Sequence, residues 1–212
     1  MRGGEVEPRA PNVAPQSDSE VCKSVIECRM PLPTARYKPA LIVIHWLTLL
    51  ILIGVYACIE GRQYFPRGSV IRGDLKTWHF MLGLSVFALV WLRLILRWFN
   101  VAPPVEPAPP RWQRVLARAV HIALYGVMIG MPIGGWLILS AAGKPIPFFG
   151  LELPPLVAPD HTLAKTVEKL HKTIGNAALY LMGLHVVAGL FHHYIVRDNT
   201  LLRMLPERVR DS

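Results

Sequence analysis

Four long apolar segments divide this chain, and charged residues lie between them or near their ends. The segments cover about 39–59, 78–98, 115–142 and 167–196. Each reaches the roughly 20 residues that a helix needs to cross the hydrocarbon core of a bilayer. Stretches such as LIVIHWLTLLILIGVYACI lack the polar face that a helix of a soluble bundle presents to water. The pattern therefore predicts an all-α fold, an integral membrane four-helix bundle.

The chain outside this bundle is polar. Residues 1–36 lack the apolar core of a secretory signal peptide. We interpret them as a disordered N-terminal tail, or as the product of a misassigned start with Met30 as the true one. Residues 37–206 form the predicted membrane domain, and 207–212 form a short C-terminal tail.

Basic residues outnumber acidic ones by 23 to 14, which gives a net charge of +9. They flank the apolar segments and no nucleic-acid motif is present, so contact with lipid headgroups explains most of them. Four spans place both termini on one side, and the distribution of Lys and Arg favours the cytoplasm for that side. The loops on the other side are also basic. Contact with headgroups and attraction of an anionic substrate both fit that excess.

Histidines within the apolar segments are the candidate functional residues, because imidazoles in a membrane usually mark a functional site. His171 and His185 share one helix face and are separated by roughly 21 Å, at 1.5 Å per residue. If the helices alternate in direction, two histidines lie near the outer face and five near the inner face. The outer set is His79 and His171, and the inner set is His45, His121, His185, His192 and His193.

Pairs of imidazoles without thiolates or carboxylates favour low-spin haem iron. Zinc would need four protein ligands, or three and a water, and the spans supply too few. Depth predicts that His79 pairs with His171, and that His185 pairs with His45 or with His121. The sequence contains none of CxxCH, HExxH, GxSxG or a P-loop, so it offers no covalent haem attachment and no common hydrolase site.

Small residues separate the histidines of the last span. Steps of three or four place one stripe on a single helix face: His171, Gly175, Ala178, Met182, His185, Gly189 and His192. Small side chains leave room for a porphyrin edge, although they also let helices pack closely. His121 and His192 are candidates for binding a quinone carbonyl or a haem propionate. Arg93 and Arg97 are candidates for balancing propionates, or are ordinary cations at the membrane edge.

Several segments together resemble one known family. They are IHW (44–46), YFPRG (64–68), TWH (77–79), WLRLILRW (91–98), LHKTIGNAALYLMGLHVVAGLFHHY (170–194) and DNTLLRMLP (198–206). In these segments the chain resembles the bacterial cytochrome b561 family, in its superoxide-oxidising branch. The resemblance covers about 37–206 and leaves out the first 29 residues.

The resemblance implies an inner-membrane oxidoreductase with two haem b groups, ligated by His45, His79, His171 and His185. It implies quinone contacts near His121 and His192. Electrons would pass from superoxide outside, which becomes oxygen, to ubiquinone in the membrane. Three cations would lie beside the outer haem and attract superoxide, namely Lys165, Lys169 and Lys172.

Two other functions remain open on the sequence. One is a cytochrome b electron-transfer subunit that anchors a dehydrogenase or hydrogenase to the quinone pool. Stable copurification with a redox subunit would favour it over a self-sufficient enzyme. The other is a haem-free bundle acting as a transporter or scaffold, against which the four-histidine pattern argues.

Overall fold

The computed structural model describes residues 36–205 and contains four long helices. These are α1 (Pro39–Gly61), α2 (Val70–Trp98), α3 (Arg111–Ala141) and α4 (His161–Phe191). Shorter elements are a 3-10 turn at Arg62–Tyr64, strands β1 (Pro147–Phe148) and β2 (Leu151–Glu152), a π-helical turn at His192–Val196 and a 3-10 turn at Leu202–Met204. Residues 1–35, with Met30, and 206–212 lie outside the described part, so both tails stay predictions.

All four helices are long and apolar enough to cross a membrane, over 39–64, 70–98, 111–141 and 161–196. Their outward faces carry large apolar side chains such as Leu50 and Ile122, each 65% exposed, and Val187, which is 61% exposed. Contiguous apolar surface on this scale is rare on soluble monomers and is the ordinary surface of a helix in lipid. The predicted fold class, a membrane four-helix bundle, is confirmed.

Three of the helices begin earlier than the apolar pattern predicted. Helix α2 starts at Val70 instead of residue 78, and α3 starts at Arg111 instead of residue 115. Ser69 caps α2, where its Oγ accepts a hydrogen bond from the Arg72 N–H at 3.4 Å. Pro110 directly precedes α3. Hydropathy marks only the part of a helix that meets hydrocarbon, whereas capping residues set where the helix begins.

Helix α4 also starts early, at His161 instead of residue 167. The Asp160 carboxylate accepts hydrogen bonds from the Thr162 N–H at 2.8 Å and the Leu163 N–H at 3.0 Å. His161 lies before the predicted span of 167–196, yet it is the first residue of the helix, and it is exposed.

The segment between α3 and α4 folds over one end of the bundle. Strands β1 and β2 pair in antiparallel register, with Phe148 opposite Leu151. Phe149 and Gly150 form the turn with φ of 47° and 86°, the positive values that a tight hairpin requires. The hairpin region covers a buried cluster whose members come from α2, α3 and this segment: Leu84, Leu139, Ile146, Phe80, Trp136, Phe148 and Leu153. The short strands were not predicted by the hydropathy pattern.

The helices pack as α1 against α2, α3 against α4, and α2 against α3. We call the end with loops 62–69 and 142–160 the hairpin end. The end with residues 36–38, 99–110 and 197–205 is the terminal end. A long cavity between the helices joins the two ends.

Candidate functional site

The cavity has a volume of about 1520 Å³ and is lined by all four helices. Its lining includes every histidine that was predicted from the sequence as a haem ligand or a quinone contact: His45, His79, His121, His171, His185 and His192. Typical small-molecule pockets measure about 300–1,000 Å³. This cavity therefore has room for more than one bound group.

Six of the seven residues in the stripe predicted on the last helix line this cavity. Ala178 is 2% exposed, and the other six members of the stripe are half-buried. Tyr180 and Val187, on other faces of the helix, are 79% and 61% exposed. The sequence periodicity therefore identified the inward face of α4 correctly.

His79 and His171 meet across the cavity near the hairpin end. Their ring centroids are 6.3 Å apart and the ring planes make an angle of 74°. His79 donates a hydrogen bond from Nδ1 to the Val55 carbonyl at 3.0 Å, which leaves its Nε2 as the nitrogen with a free lone pair. The Nδ1 of His171 is buried and has no hydrogen-bond partner among the described residues. A buried orphan nitrogen is uncommon and indicates a missing polar or metal partner.

His45 and His185 meet near the terminal end in nearly the same way. Their centroids are also 6.3 Å apart, at an angle of 76°. His121 lies closer to His185, with centroids 5.3 Å apart at 85°, but it is an exposed residue. Its Nδ1 donates to the Ala117 carbonyl at 2.6 Å.

The repeated 6.3 Å spacing fits a metal between each pair. A metal–imidazole bond is about 2.0 Å, and a ring nitrogen with bonds of about 1.35 Å lies roughly 1.1 Å from the centre of its ring. Two imidazoles on opposite sides of one metal therefore have centroids about 6.2 Å apart. The 5.3 Å between His121 and His185 is too short for that arrangement. Within residues 36–205 no group of three or more His, Cys, Asp or Glu could hold a metal.

Arg93 complicates the terminal-end pair. Its guanidinium lies 2.9 Å from Nδ1 of His45 and can only donate, so Nδ1 accepts in this arrangement. A histidine that binds metal through Nε2 usually donates from its other ring nitrogen. Nδ1 of His45 therefore accepts a hydrogen bond, whereas Nδ1 of His79 donates one. Arg93 would have to move away from His45 before His45 could bind a metal through Nε2.

Two glycines leave space beside the histidines, and a hydrogen bond joins α1 to α4. Tyr56 of α1 donates its hydroxyl hydrogen to the Gly175 carbonyl of α4 at 2.8 Å. A methyl group built on Gly83 would meet nothing within 4 Å, and Gly83 lines the cavity. One built on Gly134 would lie 3.4 Å from Nδ1 of His171, an ordinary van der Waals contact, so α3 lies close to this ring. Gly83 therefore leaves room in the cavity one helical turn from His79.

Cations gather at the hairpin end of the cavity. Lys165 and Lys172 line it as the sequence suggested, whereas Lys169 does not. Lys172 also forms an ion pair with Glu168 at 2.6 Å, with both side chains largely exposed. The structure adds lining cations from three other segments: Arg62, Arg72, Lys76 and Lys144. Lys76 interacts electrostatically with Lys144, Arg62, Lys172 and Glu168.

The terminal end of the cavity contains the candidate quinone contacts. His121 and His192 both line it, but no hydrogen bond or ring contact joins them in the described part of the chain. Arg93 and Arg97 also line this region. Nδ1 of His192 lies 2.6 Å from the Asp198 carboxylate. This contact was not predicted from the sequence, where Asp198 appears only within the segment 198–206. A carboxylate directly after an apolar span was the signal that could have indicated it.

The chain is similar to known proteins over most of its length. The model of the family described as prokaryotic cytochrome b561 matches residues 36–207. The chain is 36% identical over 173 residues to cytochrome b561 homolog 1 of Escherichia coli (strain K12), covering 82% of this chain and 98% of that protein. It is 35% identical to a probable superoxide oxidase, CybB, of Yersinia pestis, with 82% and 97% covered. It is 31% identical to cytochrome b561 homolog 2 of E. coli K12, with 83% and 94% covered.

Proposed function

The chain belongs to the prokaryotic cytochrome b561 family, and from that premise we propose that it is a di-haem membrane enzyme that oxidises superoxide and reduces ubiquinone. One observation carries the proposal. Two imidazole pairs with the same 6.3 Å spacing lie at opposite ends of one cavity in a membrane-spanning bundle. The relative named probable superoxide oxidase supplies the choice of donor.

In this proposal His79 and His171 would hold one haem, and His45 and His185 would hold the other. Haem held by these residues would supply one-electron transfer at each end of the cavity. The Val55 carbonyl fixes the tautomer of His79 so that its Nε2 can bind iron. The unpartnered Nδ1 of His171 and the open space at Gly83 fit a bound group at the hairpin end.

At the terminal end we assign His45 and not His121 as the partner of His185. The His45–His185 spacing repeats that of the other pair, whereas His121 is too close and is exposed. Arg93 then leaves Nδ1 of His45 and, with Arg97, balances the propionates of that haem. Arginine suits this role because its planar fork matches a carboxylate.

The hairpin end faces the outside of the bacterial inner membrane, and the termini face the cytoplasm. This orientation follows the distribution of Lys and Arg around the spans. Lining cations from four separate segments then surround the outer mouth of the cavity, among them Arg62, Lys76, Lys144 and Lys165. A cleft lined by charge of one sign raises the local concentration of an oppositely charged substrate. Superoxide is such a substrate, and it needs only to come within electron-transfer distance.

Ubiquinone binds near His121 and His192 at the terminal end. Two superoxide ions each lose one electron and leave as oxygen. The two electrons and two protons convert one ubiquinone to ubiquinol. The chain's part in this step is to hold the headgroup and deliver protons on the cytoplasmic side.

The test is haem quantitation on the purified chain, followed by stopped-flow mixing with superoxide and a short-tailed ubiquinone. We expect two haem b per chain and quinone reduction that matches superoxide consumption at one to two. A protein without haem would overturn the whole proposal. A haem-loaded chain that ignores superoxide and copurifies with a redox subunit would instead identify it as the membrane anchor of a dehydrogenase or hydrogenase.

A further inference from the structure

The segment after α4 folds back and closes the terminal end of the bundle. We call residues Asp198–Met204 the terminal cap. Its backbone and side chains contact three other parts of the chain: Tyr37 donates to the Arg203 carbonyl, Trp46 Nε1 donates to the Met204 carbonyl, and Arg203 donates to the Pro103 carbonyl. Asn199 exchanges two hydrogen bonds with the backbone of Glu106. The cap is therefore fixed and not a loose tail.

A change of helix type brings Asp198 onto His192. Helix α4 ends in a π-helical turn over His192–Val196, and Arg197 adopts a left-handed conformation with φ 57°. The chain reverses there, so the Asp198 N–H donates to the His192 carbonyl at 3.2 Å. π-helical turns are rare and are frequent at functional sites.

The Asp198 carboxylate is fully buried, and each of its oxygens has a partner. Oδ2 accepts from Nδ1 of His192 at 2.6 Å, and Oδ1 accepts from the Thr200 N–H at 2.8 Å. The side chain of Asp198 is 0% exposed, whereas that of His192 is 21% exposed and lines the cavity. Burial raises the pKa of Asp198. The hydrogen bonds from His192 and Thr200 lower it by more than burial raises it, so the pKa lies below its usual value.

This geometry determines which nitrogen of His192 can meet a ligand. A carboxylate accepts only, so Nδ1 carries the proton of the hydrogen bond. Nε2 is then the remaining ring nitrogen. In Ser-His-Asp enzymes a buried aspartate holds the catalytic histidine in one tautomer in the same way and stabilises its charged form.

We propose that Asp198 is a positioning residue for quinone reduction: it holds His192 so that Nε2 faces the quinone carbonyl and can pass it a proton. The inference rests on the proposed function and deepens it. His192 as imidazolium donates its Nε2 proton to the carbonyl oxygen as the quinone gains its electrons. Nδ1 keeps its proton toward Asp198 throughout. Water at the cytoplasmic surface restores the Nε2 proton and also supplies the second proton that completes ubiquinol.

The test isolates the quinone half-reaction from the donor. Purified haem-loaded protein is reduced with dithionite, freed of excess reductant, and mixed with a short-tailed ubiquinone while haem reoxidation is followed. We expect Asp198→Asn to slow reoxidation by about 10- to 100-fold, by analogy with the loss seen when the hydrogen-bond partner of a metal-binding histidine is removed. Haem content and spectra should not change, because His192 is not a proposed ligand.

Three further variants separate positioning from mere support of the cap. Asp198→Glu should recover part of the rate, because it restores an acceptor with the same charge. His192→Ala should be as slow as Asp198→Asn, and the double variant should be no slower than either, since the two residues act as one unit. Asn199→Ala breaks a cap contact to Glu106 without touching His192, and should reoxidise at the wild-type rate.

The outcomes are distinguishable. If wild-type protein loaded with haem is not reoxidised by quinone, the proposed function itself fails. If wild-type protein is reoxidised and Asp198→Asn matches it, the inference about Asp198 is wrong. Equal slowing by Asn199→Ala and Asp198→Asn, or additive slowing in the double variant, would likewise overturn it, because the cap would then act only as a structural closure.

Discussion

At the residue scale, position along a membrane helix sets depth, and depth narrowed the choice of proposed ligands. Counting along alternating helices predicted that His79 pairs with His171 and that His185 pairs with His45 or His121, and the structure brings the ring of His185 close to both. Depth could not choose between His45 and His121, since both lie in the terminal-end part of their helices. Rotation about the helix axis decides that choice, and it depends on packing between helices.

The choice between these two residues gives a direct prediction. His45→Ala is expected to leave one haem per chain, whereas His121→Ala keeps two, because only His45 has the spacing that fits a shared metal. Pyridine haemochrome assay against protein concentration measures both. The reverse result, with His121→Ala losing a haem, would transfer the ligand role to His121.

The hairpin-end pair allows a matched experiment. His171→Ala and His79→Ala should each remove one haem and leave the terminal-end haem with an unchanged spectrum. His161→Ala is the control, because His161 is exposed at the start of the same helix and is not a proposed ligand. Two haems in either ligand variant would contradict the pairing.

At the element scale, hydropathy located the helices but not where they begin. Asp160 and Ser69 extend α4 and α2 beyond the apolar segments by accepting hydrogen bonds from the first turn. The hydropathy pattern also did not predict the β-hairpin or the terminal cap, because a two-residue strand and a buried polar segment have no detectable periodicity. Asp198, Asn199 and Arg203 are buried although they follow the last span.

The N-cap residue of α4, Asp160, should contribute measurably to the free energy of unfolding. Asp160→Ala is expected to destabilise the folded protein by about 1 kcal/mol, the usual cost of losing an N-cap side chain. Thermal unfolding in detergent, followed by circular dichroism, would measure it. Asp160→Asn, which keeps an acceptor oxygen, should stay close to the wild type, and equal losses in both variants would exclude capping as the cause.

The terminal cap should loosen in acid. The pKa of Asp198 is below its ordinary value of 3.8, so its contribution to stability is present above pH 3.8 and is lost as pH falls through the folded pKa. The charged groups facing it are His192 and Arg203. The protection of the backbone amides of residues 198–204, taken relative to the intrinsic exchange rate at each pH, should therefore fall below pH 3.8 in the wild type. In Asp198→Asn the exchange of this segment should already be fast at neutral pH, and equal protection in both proteins would contradict this role.

At the scale of the whole molecule, the distribution of charge predicts how the rate responds to salt. Cations from several segments surround the hairpin end, including Lys76, Lys144 and Lys165. Exposed charges are screened over about 8 Å at physiological ionic strength. The rate with superoxide should therefore fall as salt rises. The sequence identified basic loops on this side, but only the fold shows that separate loops border one opening.

Neutralising two of these cations should weaken that dependence. Lys144→Gln with Lys165→Gln is expected to lower the second-order rate with superoxide by about two- to fivefold at low salt, a part of the roughly 10- to 1,000-fold gain that electrostatic steering can give. Arg111→Gln with Arg114→Gln makes the same change in net charge at the terminal end and should have no such effect. Stopped-flow rates between low and high salt measure both. Equal rates in the two double variants would show that the cations at the hairpin end do not attract superoxide.

The long cavity has a consequence for how the protein is made. Protein interiors are normally filled at close to crystal density, yet about 1520 Å³ here lies between the helix pairs. Haem bound there would supply contacts that the helices do not make with each other, and whatever binds only the folded state stabilises it. Newly inserted chains in a porphyrin-starved cell should therefore be the ones that membrane proteases remove, so iron and porphyrin supply would set how much of this protein accumulates.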